Sequence, residues 1–336
     1  MRIAECGLRN ERRNRLLKIS SPLAGEDKVR GAFWGGTRFN SFNRVLLLVA
    51  TLLCFPLFVS AAEPVVQPQP EIVLSPSSPG PGDIMIVTVR GMNGPVDGAF
   101  KGKKIYFNSS QNTFRAVVGI DLFTEPGSYP LDITATGSTE HRTIVVQKKE
   151  YPVQHLTLPK GMVELSPENE ARVARELKLT NSIWPNETGR VWDGRFMNPR
   201  EGKIVTLFGV RRFMNKIPKN PHTGVDVEAE EGDPVRAPNS GVVRLVDDLY
   251  YSGNSVVLDH GQGIYTMFFH LSKVLVTPGQ QIKKGDVIAL VGSTGRSTGA
   301  HLHWGVRMQG ARVDPQELIK LDLNDGAVTQ GSVPVR

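Results

Sequence analysis

From Ile84 the chain alternates short runs of β-favouring residues with Gly, Pro and Asn turns: IMIVTV, KIYF, FRAVVGIDL, YPLDITA and RTIVV follow one another up to Val146. Runs of this length at this spacing predict a small β-sandwich of the immunoglobulin-like kind over residues 84–150. The period then changes. In SPENEARVARELKL, Ser166 stands as an N-cap, Pro167 as the first helical residue, acids occupy the first turn, and Val173 and Leu177 fall on one side. These signals predict a helix near 166–178, inside a linker that spans 151–200. Strands and turns return from residue 201 to 320 and give way to a tail over 321–336. The expected fold is mostly β: an N-terminal sandwich, a connecting helix and a second, antiparallel β domain.

Ahead of the sandwich lies EPVVQPQPEIVLSPSSPGPGD, residues 63–83, whose proline and serine content predicts an extended tether. Charge changes the reading of what precedes it. The chain has 40 Lys and Arg against 33 Asp and Glu, but residues 1–61 hold ten of the bases and four of the acids, which leaves 30 and 29 for the rest. A nearly neutral body offers no patch for nucleic acid. The basic front leads into VLLLVATLLCFPLFVSAA, Val45 to Ala62, an apolar run that ends in small residues. This is the pattern of a secretory signal cleaved near Ala61 or Ala62, so residues 1–62 are expected to be a leader and the protein exported. The competing reading is an uncleaved segment that anchors the chain in the membrane. Against it stand Pro56 and a length below the ~20 residues of a spanning helix. Both cysteines, Cys6 and Cys54, lie in the leader, so no disulfide or thiol nucleophile is expected in the exported protein. Leu53, before Cys54, is not the small residue that lipidation requires.

Candidate chemistry gathers in the second β domain. Five of the seven histidines lie from His222 to His303. In HTGVDVEA, Gly224 and the β-branched Val225 and Val227 favour extended structure, which puts positions 222, 224 and 226 on one face and the valines on the other. His222 and Asp226 then converge. In AHLHWGV, His301 and His303 flank Leu302 and also share a face; in IYTMFFHLS, His270 closes an apolar strand. A catalytic zinc takes three His or carboxylate ligands and keeps one position for water. His222, Asp226 and one of the His301/His303 pair supply that set, and spacing alone does not choose between the two. The remaining histidine of the pair and His270 are left for proton transfer or oxyanion stabilisation. His141 in the sandwich and His260 after a strand are read as structural or solvated residues. GSTGRSTG, Gly292 to Gly299, lacks the G-K-[ST] ending of a phosphate loop and reads as a tight turn beside a groove.

These segments occur in the order TLFGVRR, HTGVDVEAEEGDPVRAPNSGVV, VVLDHGQGIYTMFFHLS, V-x-x-GQQIKKGDVIALVGSTGRSTGAHLHW and RVDP. In order and spacing they resemble the lysostaphin-like (LytM, M23) zinc endopeptidases of peptidoglycan, from about Gly202 to Pro315. The resemblance implies Zn2+ held by His222, Asp226 and His303, with His301 as general base and His270 as a second catalytic histidine. Members often carry tyrosine two residues before the strand-end histidine, where this chain has Phe268. The function implied is hydrolysis of peptide cross-links of peptidoglycan stems by a metal-activated water, with D-alanyl–diaminopimelate bonds and a periplasmic or cell-envelope location expected. Two rivals are set against it. A non-catalytic or latent regulator that activates other wall hydrolases would lack ligands that this chain keeps, or would fill the open metal position with a residue such as Asn215. A lipoyl or biotinyl carrier shares the V-x-x-G-x-x-I-x-x-G-D hairpin but needs a modifiable lysine beside methionine, which is missing.

Overall fold

The computed structural model describes residues 70–321 except Asn93, Thr136 and 158–164; the expected leader, with its apolar run, and residues 322–336 lie outside the described residues. Among the described residues no helix is long and apolar enough to cross a membrane.

Strands β1 (Glu71–Ser75), β2 (Ile84–Arg90), β3 (Val96–Phe100), β4 (Lys103–Ile105), β5 (Phe107–Ser110), β6 (Thr113–Gly119), β7 (Gly127–Ala135) and β8 (Ser138–Val146) form two sheets. Their orders are β1-β2-β6-β5 and β4-β3-β7-β8. Period-two alternation turns Met85, Val87 and Val89 of β2 and Ala116 and Val118 of β6 inward, where they meet Leu131, Ile133, Ile144 and Val146 of the other sheet. The result is a sandwich that begins earlier than residue 84. Glu71–Ser75, expected within the tether, is an edge strand whose Ile72 and Leu74 pack on this core. An edge strand needs a hydrogen-bond ladder on one side only and tolerates nearby prolines, so the proline-rich composition concealed it.

The expected linker also holds more structure than its composition suggests. It contributes β9 (Val153–Leu156) and α1 (Pro167–Asn181), and the Ser166 side chain caps α1 by accepting from Asn169 N–H. The helix buries none of its residues, and Leu177 is 57% exposed, so the Val173/Leu177 stripe is not a packing face. Two apolar positions among Glu, Arg and Lys make too narrow a stripe to bury. The helix docks through polar groups: Arg172 Nη2 donates to Asp248 O at 2.7 Å, and Tyr250 N–H donates to Glu176 Oε2 at 2.9 Å. Beyond it Ile183, Trp192 and Phe196 are buried, and the last two join the core of the second domain.

That domain comprises β10 (Ile204–Thr206), β11 (Arg211–Met214), β12 (Ile217–Lys219), β13 (Gly224–Glu228), β14 (Pro234–Arg236), β15 (Gly241–Leu249), β16 (Gly253–Gly261), β17 (Ile264–Val274), β18 (Gln281–Ile282), β19 (Val287–Val291), β20 (His301–Met308), β21 (Ala311–Val313) and α2 (Pro315–Lys320). Its main sheet runs β10-β13-β20-β17-β16-β15-β18, while β11 pairs with β12 and, in parallel, with β9. One face of the sheet is apolar: Val225, Val227, Phe268, Leu302, Trp304 and Val306 share a core. Ile84, Val117 and Leu122 of the sandwich belong to the same core, so the two β regions pack as one unit.

Candidate metal centre

The opposite face of three adjacent strands carries the chemistry. Asp226 on β13 is the register partner of His303 on β20, and His303 is the partner of Phe269 on β17. Directly opposed residues have Cβ atoms about 5 Å apart, so this pairing alone brings a carboxylate and an imidazole together. Phe269 stacks on the His303 ring at 5.1 Å and 8° between planes. His222 enters from just before β13 and is fastened to the preceding turn: His222 N–H donates to Val210 O at 2.9 Å, and its Nδ1 donates to Leu207 O at 2.9 Å. Gly224, between His222 and Asp226, is required sterically. A Cβ there would sit 2.4 Å from Trp304 O and 2.6 Å from His303 Nε2.

Three donor atoms meet at one point. His222 Nε2 lies 3.0 Å from Asp226 Oδ1 and 3.0 Å from His303 Nδ1, and His303 Nδ1 lies 2.9 Å from Asp226 Oδ1. A tetrahedral ion bonded at ~2.0–2.1 Å holds its ligands about 3.3 Å apart, only a few tenths wider than this triangle. A carbonyl can only accept, so His222 carries a proton on Nδ1, which frees the Nε2 lone pair, on the side of the carboxylate oxygen, for a ligand role. Two lone pairs facing each other in a buried site call for a cation between them, and the donor set fits a metal ion. Burial alone would raise the Asp226 pKa; the His222 and His303 imidazoles beside it outweigh burial and hold the carboxyl well below the usual range. Burial pushes the His303 imidazole down to about 4, only partly offset by Asp226. It is therefore neutral and able to ligate near pH 7.

The other two candidate histidines stand beside this triangle. His301 Nε2 is 3.7 Å from Asp226 Oδ1, while its Nδ1 donates to Gly299 O at 2.9 Å and has Ser297 Oγ at 3.2 Å. The Nε2 lone pair is thereby left facing the donor cluster. His270 lies with its ring centroid 4.8 Å from that of His301, and its Nδ1 donates to Thr294 O at 2.9 Å. Its backbone is left-handed, at φ 62°, a conformation that costs a non-glycine residue about 1–3 kcal/mol. His270 N–H donating to Ser252 O at 2.8 Å and Thr294 Oγ1 donating to Leu271 O at 2.9 Å hold it there. Alternation breaks at this point, so Phe268 stays in the core and His270 swings into the site. Burial lowers the His270 pKa, against the Thr294 carbonyl, which raises it.

All five predicted site residues are thus brought together. His141 is elsewhere, exposed on β8 with Nδ1 2.7 Å from Asp132 Oδ1. His260 is fully buried, its Nδ1 bonded to Ser240 O at 2.7 Å and its Nε2 to Thr266 Oγ1 at 2.8 Å. Asn215 sits at φ 51° in the turn between β11 and β12. One neighbour was absent from the expectations: Arg212 on β11, whose Nη2 lies 3.7 Å from Asp226 Oδ2. The R-R pair of TLFGVRR was its only trace in the sequence.

A family model described as peptidase family M23 matches residues 220–315, a span that holds all five residues. A solved chain from Pseudomonas aeruginosa, described as a peptidase M23, is 32% identical; the match covers 72% of this chain and 95% of that one, with a TM-score of 0.59. The chain belongs to peptidase family M23. Curated relatives of this M23 chain include an uncharacterized metalloprotease of Haemophilus influenzae, 32% identical over 60% of this chain and 36% of its own length. Another is the DD-carboxypeptidase/endopeptidase Mpg of Neisseria meningitidis, 37% identical over 37% of this chain and 30% of its own. The peptidoglycan DD-endopeptidase ShyA of Vibrio cholerae is 43% identical over 33% of this chain and 26% of its own. The M23 chain therefore spans between about a quarter and a third of the length of these relatives.

Proposed function

We propose that this protein is an extracytoplasmic zinc endopeptidase that hydrolyses peptide cross-links of peptidoglycan, at D-alanyl–diaminopimelate bonds. The observation that carries the reading is the triangle of His222 Nε2, Asp226 Oδ1 and His303 Nδ1, two imidazoles and one carboxylate, with two further histidines beside it. The chemistry that zinc supplies in such a site is polarisation of the scissile carbonyl and activation of water. His301 accepts the proton from that water on Nε2 and returns it to the leaving amine, its orientation held by the Gly299 carbonyl. His270, whose ring centroid lies 4.8 Å from that of His301, is placed to donate to the developing oxyanion from Nε2 when it enters the reaction protonated, with a proton of its own and not the one that His301 carries. The Leu207 and Thr294 carbonyls fix tautomers as the outer partners of metal sites do. The bond assignment is supported by the names of the Neisseria and Vibrio relatives, both DD-peptidases. A regulator that had lost the metal would not keep this donor set intact.

The reading is tested by metal content and turnover together. The purified full chain is expected to hold one zinc and to cleave an isolated dimer of stem peptides joined by a D-alanyl–diaminopimelate cross-link. Chelation abolishes cleavage, and zinc restores it. Stoichiometric zinc without any cleavage at saturating substrate would contradict the enzyme reading.

A further inference from the structure

Arg212 is not used by the chemistry above, yet its guanidinium faces the site. Its Nη2 lies 3.7 Å from the outer oxygen of Asp226, beyond hydrogen-bond reach, so the pair is held by charge alone. Its Nε is buried without a hydrogen-bond partner. The side chain is 26% exposed, open enough to meet an incoming group. The strand that carries it is braced on both sides: Arg212 is registered with Lys219 on β12 and with Gln154 on β9, and Arg211 N–H donates to Pro152 O at 2.9 Å. A largely desolvated cation with unspent donors, on a braced strand beside the reacting centre of a peptidase, is matched by the anion that a peptide substrate carries, a carboxylate, which accepts the planar fork in two parallel bonds.

We infer that Arg212 is a specificity-determining residue that binds the free α-carboxylate of the residue on the leaving side of the scissile bond. This rests on the peptidase reading and sharpens it. In a D-alanyl–diaminopimelate cross-link, the leaving amine sits on a carbon whose carboxylate is free. The same is true of a terminal D-alanyl–D-alanine. In an interpeptide bridge of ordinary peptide bonds, that carboxylate is consumed by the next amide. Arg212 therefore selects bonds whose leaving residue ends in a free acid and discriminates against bridge peptides. The β9–β11–β12 sheet becomes a wall of the leaving-group side of the site.

The test uses two synthetic stem pentapeptides that end in D-alanyl–D-alanine, one as the free acid and one as the C-terminal amide. Equilibrium binding of each is measured on the chelator-treated full chain, and kcat/KM on the zinc-loaded chain. The wild type is expected to prefer the free acid by about 10- to 100-fold in both. That ratio drops partway in Arg212→Lys and to near one in Arg212→Gln, with zinc content unchanged. If Arg212 merely positioned Asp226, both variants would lose zinc or lose both peptides equally with the ratio intact, and the inference is overturned. It is likewise overturned if the wild type does not discriminate. Discrimination in binding by a chain whose zinc-loaded form leaves cross-linked stem dimers uncut sinks the peptidase reading and leaves this one standing; hydrolysis without discrimination does the reverse.

Discussion

Asp226 is the residue on which the centre turns. Its Oδ1 is shared by two imidazoles and its Oδ2 faces Arg212, so replacing it removes a ligand and leaves Arg212 without its countercharge. Asp226→Asn is expected to lower zinc affinity at least about 100-fold, read by competition with a metallochromic chelator. The two histidines outside the triangle should behave differently. His301→Ala and His270→Ala keep zinc at wild-type stoichiometry while kcat falls about 10²- to 10⁴-fold; loss of metal in either would place it among the ligands instead. Much of this was legible in the sequence. Spacing and strand parity put His222 near Asp226 and His301 beside His303, and backbone pairing keeps such local geometry. The choice of His303 as ligand came only with the family resemblance. In the structure His303 Nδ1 lies 2.9 Å from Asp226 Oδ1 and His301 Nε2 lies 3.7 Å from it. Arg212 was not legible, because its approach to Asp226 depends on a hairpin packed from a different sheet.

Among elements, β15 to β17 hold the frame behind the site, and His260 ties them together. It bridges Ser240 O, before β15, and Thr266 Oγ1 on β17 while sitting on β16. Burial pushes its pKa down to about 4, with the Ser240 carbonyl and the Asp259 charge opposing. An unfolded chain protonates this ring near pH 6.5, so the folded state is favoured fully above that value. It loses that advantage as pH falls toward 4, on the order of 3 kcal/mol in all. Thermal melts from pH 7.5 to 4 should show a drop in Tm for the wild type that is visibly shallower for His260→Gln. Parallel curves for the two proteins would exclude this linkage. The sequence marked His260 only as an unremarkable residue at a turn; its burial comes from sheet packing that no local pattern records. The same limit applies to β1, hidden among prolines, and to α1. The start of α1 was readable from Ser166 and Pro167, but its docking on Asp248 and Tyr250 was not.

For the whole molecule, the sandwich is fused to the catalytic-type sheet. Asp121 Oδ2 accepts from Arg312 N–H at 2.8 Å and from its Nη1 at 3.2 Å, Asn108 and Gln262 exchange two side-chain hydrogen bonds, and Ile84 and Val117 share a core with Val313. A single calorimetric transition is expected. Asp121→Ala should cost about 1–3 kcal/mol and lower Tm by several degrees. Two resolved transitions in the wild type would mean that the sandwich is an independent module.

The most direct test of the account is digestion of purified peptidoglycan sacculi by the full chain, followed by separation of the released muropeptides. D-alanyl–diaminopimelate cross-linked dimers are expected to disappear with a matching rise in monomers, and chelator or His303→Ala is expected to abolish the change. An unchanged dimer fraction with the zinc-loaded wild type, or cleavage that persists in His303→Ala, would contradict it.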